Sequence, residues 1–445
     1  MNIFFVSLGC DKNLVDSENM LGILHRNGHR ITQEEEKADI IIINTCCFIH
    51  DAKQESINTI LEMAEYKKRG SCSALIVTGC LAERYKEEIL TEIPEVDALL
   101  GTSSFTGILQ VVEELSNGQK KSRFDSLDLP PLAATGRILT SGTHYAYLKI
   151  AEGCDKHCTY CIIPQVRGNF RSIPLEDLLS EAEYLSAQGI KELILVAQET
   201  TLYGSDLYGR KTLPELLTKL AQIPGIAWIR LLYCYPEEIT DELIAVLKKE
   251  PKLCHYLDIP IQHASDRILK LMGRRTNRAD LEGIIRKLRM EIPDIILRTT
   301  LITGFPTETE EEHAELMEFV EQQGFDRLGV FTYSKEDNTP AAKLKPQITA
   351  KVKKQRQKEL MKLQQSIVFA AAQKRIGRTY EVLTEGKITD EENVYIGRTY
   401  MDAPQVDGYL FFHADEELLS GDLVKVKVKQ AKGYDLIGEI EKGSE

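Results

Sequence analysis

A chain of 445 residues is too long for one ordinary hydrophobic core, so two or three domains are expected. With 43% apolar and 28% charged residues it has the balance of a soluble globular protein, and no apolar run approaches the roughly 20 residues a bilayer span requires. A net charge of −13 argues against a broad polyanion-binding surface and leaves room only for a local basic patch. The opening, Met1 to Val6, has no basic segment before its apolar run and leads straight into a Gly-Cys turn, so it does not read as a secretory signal. The cytoplasm is the expected location. Ten cysteines in a reducing compartment need another explanation than disulfides. Cys234 and Cys254 sit beside aromatic residues and read as buried apolar thiols, and Cys72 lies in a polar turn.

Along the first hundred residues, short apolar runs at 2–7, 39–44, 74–78 and 96–100 read as buried strands. Amphipathic stretches at 15–27, 52–66 and 82–91 read as helices between them. This alternation predicts a doubly wound parallel sheet covered on both faces. A polar stretch from Asn117 to Gly142, containing Pro130-Pro131, reads as a linker. A second series follows, with strands expected at 145–150, 192–197, 227–233, 256–259, 295–301 and 328–333. Six β/α units imply a barrel or partial barrel with its reactive groups at the strands' carboxyl ends. Residues 351–374 read as a connecting helix, and from Gly377 short strands with glycine turns predict a small β-barrel.

Cys154-Asp-Lys-His-Cys158-Thr-Tyr-Cys161 directly follows the first strand of the second series. Its spacing is not that of a structural zinc site, which wants four ligands. Three thiolates leave one iron of a [4Fe–4S] cluster without a protein ligand, free to chelate the amino and carboxylate groups of S-adenosylmethionine (SAM). A second set shares one local grammar: Cys10, Cys46 and Cys80 each follow the end of a predicted parallel strand. Strand ends of an open α/β sheet share one edge, so these thiolates are expected to converge on a second [4Fe–4S] cluster. Cys47 neighbours Cys46, and a turn can aim only one of two adjacent side chains; Cys46 is the choice.

The Cys154 motif after the first of six β/α strands resembles the radical SAM superfamily. That resemblance implies a SAM pocket, in which Gln198 and Glu199 match the residues receiving the SAM amino group. Thr303-Gly304-Phe305 resembles the adenosine-side turn, and Arg298 is matched to the SAM carboxylate. On position alone, Glu199 as a strand-end cap and Arg298 in an interior ion pair are the alternatives.

Taken whole, the chain resembles the methylthiotransferase family. The resemblance implies an N-terminal α/β domain (1–116), a linker (117–142), a radical SAM partial (β/α)6 barrel (143–345), a connecting helix (346–375) and a TRAM-like antiparallel β-barrel for substrate recognition (376–445). It implies two [4Fe–4S] clusters and SAM as cofactors, with SAM as both methyl donor and radical source. The run Ser7-Leu8-Gly9-Cys10-Asp11-Lys12-Asn13 is similar to the branch that modifies an aspartate of small-subunit ribosomal protein 12; the tRNA-modifying branch typically has Gln-Met-Asn at 11–13. Glu199 departs from that branch, where Asp is common. The resemblance makes that protein, free or in the ribosome, the expected partner, with a flavodoxin or ferredoxin as electron donor and no membrane. Segment 376–445 carries 15 acidic and 8 basic residues, which suits a basic protein better than phosphates. The alternatives are the same reaction on a tRNA adenosine near the anticodon, and a non-catalytic iron–sulfur carrier or sulfur relay.

Overall fold

The computed structural model describes residues 1–133, 136–389 and 391–441. Its N-terminal sheet has five parallel strands in the order Arg30–Ile31, Asn2–Ser7, Ile40–Thr45, Ala74–Gly79, Ala98–Leu100. Four match the expected runs; the two-residue edge strand is too short to leave a periodic trace. Ile40 to Ile43 are all buried because alternate side chains enter opposite layers. Ile40 and Ile42 meet Met20, Leu24 and Val111, while Ile41 and Ile43 meet Ile60, Met63 and Leu81. The first helix starts at Asp11, not at Val15. Its first turn is polar in sequence yet buried at Lys12 and Asn13, so apolar periodicity does not report it. The expected helix at 82–91 is two, Cys80–Tyr85 and Glu87–Glu92, divided at Lys86 with φ +43°.

The central sheet holds six parallel strands in sequence order, Tyr145–Lys149, Glu192–Val196, Trp228–Leu231, Leu253–Asp258, Ile296–Thr303 and Arg327–Thr332. First and last strands do not pair with each other, so it is an open, partial barrel. Leu148, Leu195, Leu231, Leu257 and Leu297 point out into the helix layer. Tyr145, Tyr147, Ile194, Trp228, Tyr256 and Ile296 point inward and share one core with Val382, Leu383, Met401 and Leu410 of the C-terminal barrel. That barrel is closed and five-stranded: Thr379–Lys387, Val394–Arg398, Leu410–His413, Asp435–Ile440 and Leu423–Lys432. Its pairings are antiparallel except Leu410–His413 with Asp435–Ile440, which run parallel.

The C-terminal barrel therefore docks into the concave face instead of hanging from the connecting helix Ala350–Gln373. Glu192 is held by Arg230 and by Arg398 of the small barrel, each at 2.7 Å and fully buried. Tyr256 donates to Asp407 at 2.8 Å, and Arg327 pairs with Asp402. Breaking such a buried pair leaves an uncompensated charge, so the contact is specific. The linker also proves anchored: Arg123 bridges to Leu100, and buried Arg137 pairs with Glu18 and Glu181 at 3.3 Å each. Residues 134–135 of the linker, and 390 and 442–445 of the last domain, lie outside the described residues.

Behind the fourth strand, His263 is fully buried and its Nδ1 accepts from the Ser265 amide at 3.0 Å. Burial pushes its imidazole down to about 3. The unfolded imidazole titrates near 6.5, so below that pH the unfolded state takes a proton that the folded state refuses, and stability falls until pH approaches 3. By pH 5 this group alone should cost the wild-type chain about 2 kcal/mol relative to pH 7.5. Denaturant midpoints measured at both pH values should show a smaller acid loss in His263→Gln; an equal loss would refute the assignment.

Candidate iron–sulfur centres and SAM site

The strand order of the N-terminal sheet reverses between Asn2–Ser7 and Ile40–Thr45, and ligands bind outside the carboxyl ends at such a switch point. Cys10 and Cys46 leave the two strands that flank it, and Cys80 leaves the next. Gly9, at φ +94°, allows the approach: a Cβ there would stand 2.7 Å from Cys46 Cβ and 3.2 Å from its Sγ. Gly79, at φ +90°, turns the chain into Cys80, and a Cβ there would collide with Asn44 and Thr45. Asn13 ties the edge together, its Nδ2 donating to Leu8 O and Thr45 O at 3.0 Å each. Ser56 fixes the Cys46 backbone, accepting from its amide at 3.0 Å and donating to its carbonyl at 2.9 Å. Burial, then the neighbouring Cys80 and Cys10 sulfurs, pushes the Cys46 thiol up to about 12. Cys47 is turned the other way. It is buried among Ile60, Leu81 and Ile162, and its thiol donates to the Cys80 carbonyl at 3.2 Å.

Cys154, Cys158 and Cys161 sit on a loop at the carboxyl end of the first barrel strand. Gly153 admits it, because a Cβ would press into the Gly168–Asn169 backbone. The loop is pinned by Cys154 N to Gly168 O at 3.1 Å, Thr159 N to Met272 O at 2.9 Å and Ala341 N to Thr159 O at 2.9 Å. Tyr160 packs beside Ile268, Met272 and Phe305. Burial followed by the Cys158 sulfur raises both Cys161 and Cys154, the latter to about 11 once backbone donation is set against it. Arg274 Nη1 lies 3.9 Å and Tyr235 Oη 3.8 Å from Cys158 Sγ, with the guanidinium 4.3 Å from the centre of the Tyr235 ring. Lys156 of the same loop pairs with Glu237 at 3.1 Å and with Glu238.

Gln198 and Glu199 follow the second barrel strand and reach this mouth. Gln198 Nε2 donates to Glu152 at 2.7 Å, and its Oε1 is buried without a hydrogen-bond partner. Glu199 is fully buried: Oε1 accepts from the Thr201 amide at 2.8 Å, and Oε2 has no hydrogen bond, with Lys156 Nζ 4.0 Å away. Burial pushes its carboxyl up to about 7. Arg298 pairs in register with Asp258 and reaches to 3.9 Å from its carboxylate, so the interior ion pair is formed. Gly304, φ +68°, lies under Lys353 of the connecting helix, where a Cβ would overlap that side chain. Its left-handed backbone and this packing both call for glycine here.

Several residues at the seam carry no periodic or spacing signal. Arg167 Nη1 pairs with Asp16 at 2.7 Å and Glu152 at 3.1 Å, and its Nη2 donates to Asn13. Lys149 completes the group, bonding Asp16 and, at 2.8 Å, Glu152. Across the same seam Lys12 stands 3.3 Å from the centre of the Tyr233 ring, and Tyr233 donates to Asp11 at 3.0 Å. The run Asp11-Lys12-Asn13 thus joins two domains, which a single sequence cannot express.

Three sequence families match the chain in order: Uncharacterized protein family UPF0004 over residues 2–101, the Radical SAM superfamily over 148–320 and the TRAM domain over 376–440. The radical SAM methyltransferase TsrM from Kitasatospora setae superposes on 76% of this chain and 76% of its own, with TM-score 0.57 at 13% identity, a likeness of fold. Fold and family match together define a radical SAM protein. A curated relative from Lachnoclostridium phytofermentans, ribosomal protein uS12 methylthiotransferase RimO, is 64% identical over 99% of this chain and 100% of its own length. Its counterpart from Clostridioides difficile is 49% identical over 99% of each. The chain belongs to the RimO family of methylthiotransferases.

Proposed function

We propose that this chain replaces a C–H bond by C–SCH3 at the β-carbon of an aspartate in ribosomal protein uS12. Identity over the full length to the uS12 methylthiotransferases supports the substrate protein, and the radical SAM match supports the chemistry. Two [4Fe–4S] clusters and SAM are its cofactors. The reading gives Cys154, Cys158 and Cys161 to the cluster at the barrel mouth and Cys10, Cys46 and Cys80 to the second. Gln198, Glu199, Arg298 and the turn at Gly304 are given to SAM. The observation that carries it is that both cysteine sets open onto one seam, linked through Asn13, Arg167, Glu152 and Gln198.

The residues suit these groups. Each set offers three thiols, and burial with a neighbouring sulfur raises Cys46 and Cys80 in one and Cys154 and Cys161 in the other, the strain that iron binding relieves by displacing protons. Among the described residues no three metal-binding side chains are close enough to hold a single ion, and a cluster with irons at four corners asks for wider spacing. The buried acceptors Gln198 Oε1 and Glu199 Oε2 are matched to an ammonium, whose charge would also bring the Glu199 carboxyl back down from about 7. Bound here, the clusters and SAM supply the methyl group, the sulfur and a 5′-deoxyadenosyl radical. The chain's own residues orient and seal: Arg274 and Tyr235 neutralise and cap Cys158, Lys12 and Tyr233 close the seam, and the C-terminal barrel fills the floor.

The C-terminal surface supports a basic protein partner. Lys425 and Lys427 are exposed on one strand but stand opposite Glu381 and Glu439 in register, and Lys429 pairs with Glu439. The lysine row is locally neutralised and makes no phosphate-gripping stripe. Exposed Glu391, Glu392, Glu416 and Glu417 leave the outer turns acidic. A flavodoxin or ferredoxin is the proposed reductant and the cytoplasm the proposed location; no helix among the described residues is long and apolar enough to cross a membrane. The domain division at 116, 142, 345 and 375 is part of the same proposal.

The test is mass spectrometry of reduced, cluster-reconstituted enzyme incubated with SAM, sulfide, purified uS12 and bulk tRNA. A gain of about 46 Da on a uS12 aspartate, the net exchange of H for SCH3, is expected. The same gain on a tRNA adenosine with uS12 untouched would overturn the protein substrate, and reduction without SAM cleavage would reveal a carrier.

A further inference from the structure

Arg167 stands between the two cysteine sets. It ends the short helix Ile163–Arg167, which begins two residues after Cys161 and spans about 7 Å. Its guanidinium is fully enclosed and divides its donors. Nη1 serves two carboxylates, Asp16 at 2.7 Å from the N-terminal domain and Glu152 at 3.1 Å from the barrel. Nη2 serves the other side, donating to Asn13 Oδ1, the oxygen that also lies 3.8 Å from Cys80 Sγ. Asn13 Oδ1 thus lies between the guanidinium and the Cys80 sulfur. Glu152 then passes the contact to Gln198 at 2.7 Å. A fork is required here, since one point charge cannot serve Asp16, Glu152 and the Asn13–Cys80 pair together.

We propose that Arg167 is a positioning residue for the second centre: it holds the Cys80 side of the N-terminal edge against the barrel and lends that centre a positive charge, while Glu152 tempers that charge. The proposal rests on the assignment of Cys10, Cys46 and Cys80 to a cluster. A cation beside an iron–sulfur centre favours the added electron, and an anion disfavours it. Removing Arg167 and removing the Glu152 charge must therefore move the reduction potential in opposite directions.

The experiment uses the full-length chain carrying Cys154→Ala, Cys158→Ala and Cys161→Ala, reconstituted with iron and sulfide, so that only the N-terminal centre is read by potentiometric titration with electron paramagnetic resonance. Arg167→Gln should shift the midpoint to more negative values and Glu152→Gln to more positive ones. Arg167→Lys, which keeps the charge, should stay near the parent midpoint while broadening the resonance as the fork is lost. Equal midpoints in all variants, or shifts of one sign for both Gln substitutions, would overturn the role of Arg167 alone. A parent that takes up no iron would overturn the cluster assignment itself, and this proposal with it. If Arg167→Gln fails to fold, Glu152→Gln still decides: a midpoint that does not move to more positive values, or an Arg167→Lys resonance no broader than the parent's, would overturn the proposal.

Discussion

Cys46→Ala should abolish methylthio transfer to uS12 while reductive cleavage of SAM to 5′-deoxyadenosine continues. Cys46 faces Gly9 and Cys10 across the switch point, with its backbone pinned on both sides by Ser56, so no neighbour can swing in to replace it. Product should fall roughly a hundredfold or more, a loss of about 2.7 kcal/mol in transition-state terms, and bound iron should drop by about half. Cys47→Ala is the control. Its thiol points into the core beneath the Cys80 carbonyl, so the variant should keep its iron and activity and lose about 1–2 kcal/mol of stability to the cavity. Product quantified by mass spectrometry, beside iron content, separates the two. Normal methylthiolation by Cys46→Ala with failure of Cys47→Ala would exchange the two roles.

The second large effect is expected from Cys158→Ala. SAM cleavage should fall below detection, and with it every later event, while the N-terminal centre still takes up iron. Cys158 is the thiol on which the mouth converges: Arg274 at 3.9 Å and Tyr235 at 3.8 Å approach it, and both Cys154 and Cys161 feel its charge. Its removal also takes one partner from the buried Arg274 cation, which keeps Pro260 O at 2.9 Å and the Tyr235 ring at 4.3 Å, and leaves a cavity beside it. A thermal shift downward of several degrees should therefore accompany the lost activity. Serine at the same position should recover the packing but not the cleavage. Residual 5′-deoxyadenosine above the reductant-only background would mean that Cys158 is not a ligand.

Much of this was legible in order. Short apolar runs located four of the five N-terminal strands and all six barrel strands, because each is buried, and short strands with glycine turns announced the closed barrel. The two cysteine groupings were legible for a different reason. A metal-binding loop keeps its spacing, and a thiol just after a strand inherits that strand's edge. The polar residues that join domains were not legible. Asp16, Arg167, Lys149 and Glu152 satisfy one another across separations of up to 151 residues, so none shows a local period and each alone reads as an ordinary surface charge. Arg274 and Tyr235 are hidden for the same cause.

The sequence by itself therefore determined the three folding units, the grouping of six thiols into two sets and the choice of Cys46 over Cys47 as a candidate. Tertiary structure decided what faces what. It turned Cys47 into the core, set Arg298 against Asp258, spent Gly304 on packing under Lys353, and seated an acidic barrel in the concave face through Arg398, Asp402 and Asp407. The physical reason is that covalent neighbours fix local geometry and burial period, whereas a buried charge is defined only by the partner that makes its burial tolerable. That partner lies wherever the fold brings it.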